Sequence, residues 1–145
     1  MRVYLDLCAI QRPLDDYSHV RIALEAEAVL GIIALCDAGE LELVSSEALE
    51  YETDQNPWPL RKQHARSILA KSKILALIDD EVDLRATTLT LIGVKPLDSL
   101  HLALAEAAGV DYFCTCDDRF LRRIKQIQGL PIKVGSPIEL IQEIE

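Results

Sequence analysis

Residues 91–120, LIGVKPLDSLHLALAEAAGVDYFCTCDDRF, decide the fold. Gly93 and Pro96 punctuate the start of the stretch. LDSLHLALAEAA is rich in Ala and Leu, the strong helix formers, and predicts a helix. Asp98 stands at its mouth as a candidate cap, and Gly109 closes it as a C′ glycine does. DYFCT, with Tyr112, Phe113 and Thr115, then reads as a short buried strand. It runs directly into Cys116, Asp117, Asp118, Arg119 and Phe120. One carboxylate therefore opens a helix and another ends the next strand. In an open parallel sheet the loops after the strands form the ligand crevice. A fold that brings Asp98 to that edge holds two acids together, and such a pair needs a cation.

Outward from this stretch, strands and helices alternate. MRVYLDL predicts a first strand ending at Asp6, followed by a loop with Arg12, Pro13, Asp15 and Asp16. A helix is expected over about 18–38, with a wide apolar stripe through Val20, Leu24, Ala28, Ile32 and Leu35. Glu25 and Glu27 on it read as solvated, or as paired with Arg21 at helical spacing. LELVSS (41–46) is a second strand, and Ser45 or Ser46 caps the helix SEALEYETD. Asn56-Pro57-Trp58-Pro59 breaks the pattern before a basic helix, about 60–72, with Arg61, Lys62, Arg66, Lys71 and Lys73 nearby. That run reads as a solvated face or as an aid to holding a polyanion. Residues 79–92 predict a helix whose acidic start suits the macrodipole. RFLRRIKQIQG, PIKVG and SPIELIQEIE complete the chain as helix, strand and helix, the last capped by Ser136 with Pro137 in its first turn. The class is α/β with a central parallel sheet.

The bulk composition agrees. A chain of 145 residues, half of them hydrophobic, is expected to form one domain over 1–145 with a real core. The net charge of −9 argues against coating nucleic acid through a broad basic surface. It leaves room for a local grip on phosphate through metal ions. The four cysteines, Cys8, Cys36, Cys114 and Cys116, lie in apolar segments and read as small buried hydrophobes. No apolar run is long enough to span a bilayer, and MRVYLDL reads as a strand and not as a targeting peptide, so a cytoplasmic location is expected.

P-loop, dinucleotide, HExxH and GxSxG motifs are all absent, and the three histidines, His19, His64 and His101, are scattered. What remains is a set of acids at strand ends and helix starts: Asp6, an acid from the second strand–helix segment, Asp98, and Asp117 or Asp118. Carboxylate-only sites suit hard cations such as Mg²⁺ or Mn²⁺. Each acid has a plainer alternative: Asp98 and Asp117 as helix caps, Glu52 as a solvated helix residue. Asp6 is harder to dismiss, because a carboxylate closing a buried strand needs partners.

These residues resemble the PIN-domain family, the fold of VapC-type toxin ribonucleases. The resemblance rests on Val3-Tyr4-Leu5-Asp6, on Ser46 with Glu52 six residues later, on Asp98-Ser99-Leu100-His101-Leu102-Ala103, and on Thr115-x-Asp117-x-x-Phe120. It implies a three-layer α/β/α sandwich with a central mainly parallel sheet. It implies a Mg²⁺- or Mn²⁺-dependent endoribonuclease, the toxin of a toxin–antitoxin pair, cleaving RNA by a metal-activated water. Carried over by position, Asp6, Glu52, Asp98 and Asp117 are the acidic quartet that holds metal and performs catalysis. Glu47 and Glu50 compete with Glu52 for the second place, and Asp118 with Asp117 for the last. His101 would make a packing or supporting contact one turn after Asp98. Arg12 could touch phosphate or pair with Asp15 or Asp16. Leu7 stands where the family often has Thr or Ser. That departure keeps open a PIN-like scaffold that binds RNA or protein without cutting. A receiver or haloacid-phosphatase type is a weaker alternative, since Asp6-Leu7-Cys8 lacks the D-x-D of the phosphatase. Implied partners are RNA, a cognate antitoxin and a second copy of the chain, with no membrane.

Overall fold

The first strand, β1 (Arg2–Leu5), lies at the centre of the sheet and is buried from Val3 onward. The structure, a computed structural model, describes all residues from Met1 to Glu145. Parallel to β1 on one side runs β2 (Glu42–Ser46), with β3 (Ile74–Ala76) beyond it. Parallel to it on the other side runs β4 (Tyr112–Cys114), with β5 (Lys133–Gly135) at the far edge. The order is β3-β2-β1-β4-β5. Parallel neighbours cannot be joined by tight hairpins, so helices carry every crossover and cover both faces. The result is the three-layer α/β/α sandwich.

The helices are α1 (Leu7–Gln11), α2 (Val20–Asp37), α3 (Glu47–Asp54), α4 (Pro59–Leu69), α5 (Asp80–Leu91), α6 (Pro96–Ala107), α7 (Asp118–Lys125) and α8 (Pro137–Ile144), with a 3₁₀ turn at Arg12–Leu14. Their starts are chemically marked. Ser46 accepts from Leu49 N–H at 3.1 Å to cap α3, and Asp79 accepts from Val82 N–H at 2.8 Å to cap α5. Ser136 and Glu139 form a capping box on α8. α6 ends at Gly109, whose φ of +67° a side chain would strain. At the sheet centre the Tyr4 and Phe113 rings stack with centroids 5.1 Å apart.

Strand order decides where a site can form. The chain leaves β1 toward β2 and β3, then returns to the other side of β1 for β4. Beyond the carboxyl ends of β1 and β4 the connections diverge and leave a crevice. The register pairs Leu5 with Cys114, and Asp6 N–H still donates to Cys114 O at 2.9 Å. Asp6 and Thr115 therefore leave the sheet side by side.

Several local features differ from the sequence expectation. The loop expected after Asp6 begins with α1, five residues long and too short to show a helical repeat. β3 was not expected; it is a three-residue edge strand with Leu75 half exposed, too short to show alternation. Asp98 is not a cap: Lys95 holds that position on α6, and Asp98 sits inside the first turn. Glu25 pairs with Arg21, as one of the two expected arrangements, with Nε at 3.8 Å, but it is buried and not solvated, and Arg12 Nη2 at 3.2 Å also compensates it. The basic stretch is largely consumed internally, Arg61 by Asp15, Arg66 by Asp54 and Lys71 by Asp37. All four cysteines are free thiols. No helix is long and apolar enough to cross a membrane.

Candidate active site

Asp6 caps α1, its Oδ1 accepting from Leu7 N–H at 2.9 Å. Its other oxygen accepts from the Thr115 hydroxyl at 2.9 Å and lies 3.5 Å from the Cys8 thiol. Thr115 is fully buried, and its Oγ1 also accepts from Asp117 N–H at 3.1 Å. One hydroxyl thus locks the end of β1 to the turn after β4. Asp117 in turn caps α7, accepting from Arg119 and Phe120 N–H at 3.1 Å each. The T-x-D spacing has a physical reason: the threonine holds the backbone of the aspartate two residues on.

α3 brings the second acid. Glu52 Oε1 contacts His101 Nε2, one turn beyond Asp98 on α6. His101 Nδ1 lies 2.6 Å from the Tyr4 hydroxyl, which lies 2.6 Å from Ser46 Oγ. Ser46 already accepts from Leu49 N–H, so its own proton is free for Tyr4. Tyr4 then donates to Nδ1, and Nε2–H donates to Glu52. This proton order gives every buried group in the chain of contacts a partner. Asp6, Glu52 and His101 offer ligand atoms all within 4.8 Å of one another. Both ring nitrogens are already engaged, Nδ1 by Tyr4 and Nε2 by Glu52.

The competing glutamates point elsewhere. Glu50 accepts from Ser45 Oγ at 3.1 Å, and Glu47 accepts from Ile78 N–H at 2.7 Å. Asp118 is exposed and pairs with Arg21 Nη2 at 2.7 Å. Arg12 pairs with Asp15 at 2.9 Å and with Glu25, which fixes it as structural.

Asp98 and Asp117 line one cleft, together with Gly93, Val94, Lys95, Arg119, Phe120 and Arg123. Burial lifts the Asp98 carboxyl to about 6, and the charges of Asp6, Asp117 and Glu52 add to the rise against an opposing pull from His101. No hydrogen bond offsets it. Burial also raises Asp6, and Glu52 adds to that, while His101, Thr115 and Leu7 N–H counteract. Burial alone would lower His101, but Glu52, Asp6 and Asp98 outweigh it and raise it. Asp98 thus lies within electrostatic reach of the other three acids singled out from the sequence, and it alone has no hydrogen-bond partner. Such a constellation is unfavourable alone and favourable around a hard cation. The residues missed by sequence reasoning are Tyr4, Ser46 and Thr115 as holders of the acids.

The PIN domain profile matches residues 3–126. The chain belongs to the PIN-domain family. No curated protein matches this PIN domain in sequence. Among solved structures it is similar to PAE2754 from Pyrobaculum aerophilum, at 17% identity and TM-score 0.54, over 99% of this chain and 98% of that one. It is also similar to VapBC2 from Rickettsia felis, solved bound to a DNA fragment from their promoter, at 13% identity and TM-score 0.56. That match covers 94% of this PIN domain and 98% of the other chain. At such identities the likeness concerns the fold.

Proposed function

We propose that this PIN domain is a divalent-metal-dependent endoribonuclease and the toxin of a toxin–antitoxin pair. The observation that carries the reading is Asp98: a half-buried carboxylate without a hydrogen bond, within electrostatic reach of Asp6, Asp117 and Glu52. Asp6, Asp98 and Asp117 would hold Mg²⁺ or Mn²⁺, and Glu52 would hold a water or help fix a second ion. When bound, a hard divalent cation supplies Lewis acidity that acidifies water and offsets charge on a phosphodiester. Thr115 keeps Asp6 oriented for that task, and its grip on Asp117 N–H fixes the distance between the two strand-end acids. His101 holds Glu52 through one carboxylate oxygen and leaves the other unengaged. The overall chemistry adds water to phosphorus and breaks one P–O bond of the RNA backbone.

Family membership supports a hydrolase acting on nucleic acid, and the VapBC2 likeness supports an antitoxin partner. A homodimer and a cytoplasmic location belong to the same reading. A basic antitoxin segment across the acidic crevice would suit the net charge of −9.

The test is cleavage of single-stranded RNA by purified protein with Mn²⁺ or Mg²⁺, with and without chelator. Asp6→Asn and Asp98→Asn abolish cleavage while circular dichroism stays native. Retained cleavage by either variant, folded and free of contaminating nuclease, refutes the catalytic role of that carboxylate. The second reading, a scaffold that binds without cutting, is favoured by Leu7 standing in place of a hydroxyl beside Asp6. Calorimetric titration with Mn²⁺ separates the two, since the scaffold shows no carboxylate-dependent binding.

A further inference from the structure

We infer that Lys95, Arg119 and Arg123 form a phosphate clamp on the rim of the acidic cleft, built to take a phosphodiester backbone. The inference rests on the nuclease reading and names the side of the site that grips substrate. Nine of the fifteen Lys and Arg side chains are ion-paired within the chain. Of the six that are not, these three line the one cleft that also holds Asp98 and Asp117. In a protein of net charge −9, cations beside carboxylates usually pair with them. Here they stand around the acids without closing on them.

Their positions on the helices point the same way. Lys95 is the N-cap residue of α6, and Arg119 lies in the first turn of α7. Both are positive helix ends, where a cation is unfavourable and an anion is stabilised. Asp118, the neighbour that could compensate Arg119, is taken by Arg21. A structural role would place these cations at the other ends of their helices. An incoming phosphate reverses the sign: two helix ends and three cations then meet one anion.

Arg123 follows Arg119 by four residues, on the same face of α7. Its guanidinium lies flat against Gly93. A Cβ on Gly93 would meet Arg123 Cζ at 3.1 Å, Nη2 at 3.3 Å and Nε at 3.4 Å. Gly93 also has a φ of +103°. The turn thus favours glycine, and a side chain there would also crowd the arginine. An exposed guanidinium resting against a glycine has its hydrogen-bonding edge open for a planar, bidentate grip on phosphate oxygens.

The test measures binding of a fluorescein-labelled, mixed-sequence single-stranded oligoribonucleotide to the full chain, in EDTA and in Ca²⁺, across salt concentrations. Lys95→Gln, Arg119→Gln and Arg123→Gln each weaken binding several-fold, and each lost contact lowers the slope of log K against log salt by about 0.7. The triple variant loses about tenfold or more. Lys62→Gln and Lys73→Gln, equally unpaired but outside the cleft, leave binding near wild type. Mn²⁺ binding to the triple variant, followed by calorimetry, is retained. The clamp is overturned if the wild type does not bind, if the triple variant binds like wild type, or if the two outside lysines matter as much. Failure of wild type to bind Mn²⁺ defeats the nuclease reading instead, whatever the oligonucleotide does.

Discussion

The Thr115 hydroxyl donates to Asp6 Oδ2 at 2.9 Å, across a separation of 109 residues in the chain. Thr115 Oγ1 itself accepts from Asp117 N–H at 3.1 Å. A fully buried threonine that serves two acids at once is a pin between the two central strands. Valine has the same shape and lacks the hydroxyl. Thr115→Val leaves a buried carboxylate oxygen short of a donor, at a cost of about 1.5–3 kcal/mol in urea denaturation. It also weakens Mn²⁺ binding, because Asp6 is free to rotate. Thr115→Ser restores most of both.

Tyr4, Ser46, His101 and Glu52 form a second unit whose members depend on one another. His101→Phe leaves the buried Tyr4 hydroxyl with Ser46 as its one remaining partner and frees Glu52, and costs about 1–3 kcal/mol by chemical denaturation. Tyr4→Phe removes the partner of Nδ1, so the ring is held on one side only. The double variant Tyr4→Phe/His101→Phe costs less than the sum of the singles, since the shared Tyr4–His101 hydrogen bond is lost only once. The non-additivity is expected at about 0.5–3 kcal/mol. Additive effects would show that the contacts do not act together. Loss of Mn²⁺ affinity in His101→Phe, beyond any loss of stability, marks its action on Glu52.

The acids were legible in the sequence because a carboxylate at a strand end or helix mouth stands out against an apolar background. Asp6, Asp98 and Asp117 were found in this way, and the resemblance added Glu52. Of the residues that contact them, His101 was anticipated as a supporting contact, and Tyr4, Ser46 and Thr115 were not legible as holders. Tyr4 reads as an ordinary strand aromatic, Ser46 as a helix cap and Thr115 as a β-former, and each is that as well. Their second role exists only after the β1–β4 register and the α3–α6 packing bring distant segments together. The same holds for Arg123, whose meaning depends on a glycine thirty residues earlier. α1 and β3 escaped because elements of five and three residues carry too little periodicity.

The metal-free protein gains stability as pH falls from 7 toward 5. Asp98 has its carboxyl raised to about 6 from an ordinary 3.8, so the folded state binds its proton more tightly than the unfolded chain. Stability therefore falls as pH rises through that window. Asp6 is raised in the same sense. His101 is raised too, and a basic group raised on folding contributes stability below its unfolded value that is lost as pH rises past its folded one. All three act in one direction. Thermal denaturation in EDTA shows a higher Tm at pH 5.5 than at pH 7.5. Asp98→Asn removes part of that slope and raises the Tm at pH 7.5. A flat or opposite profile for the wild type would show that the cluster does not confront its own charge.

Metal flattens the same profile. A divalent cation binds the ionised carboxylates, so its affinity rises with pH through the region where Asp98 loses its proton. Binding near pH 6 releases protons, and calorimetry in buffers of different ionisation enthalpy reads the number released. At pH 7.5 saturating Mn²⁺ stabilises the fold by mass action, about 2.7 kcal/mol at one hundred times its dissociation constant. At pH 5 the same concentration stabilises less, because the ion must first displace the proton from Asp98. The Tm in Mn²⁺ is consequently almost flat with pH while the Tm in EDTA falls, and the two curves diverge above pH 6. Asp98→Asn brings the curves together. Should Mn²⁺ raise the Tm equally at pH 5 and pH 7.5, the ion binds outside the carboxylate cluster.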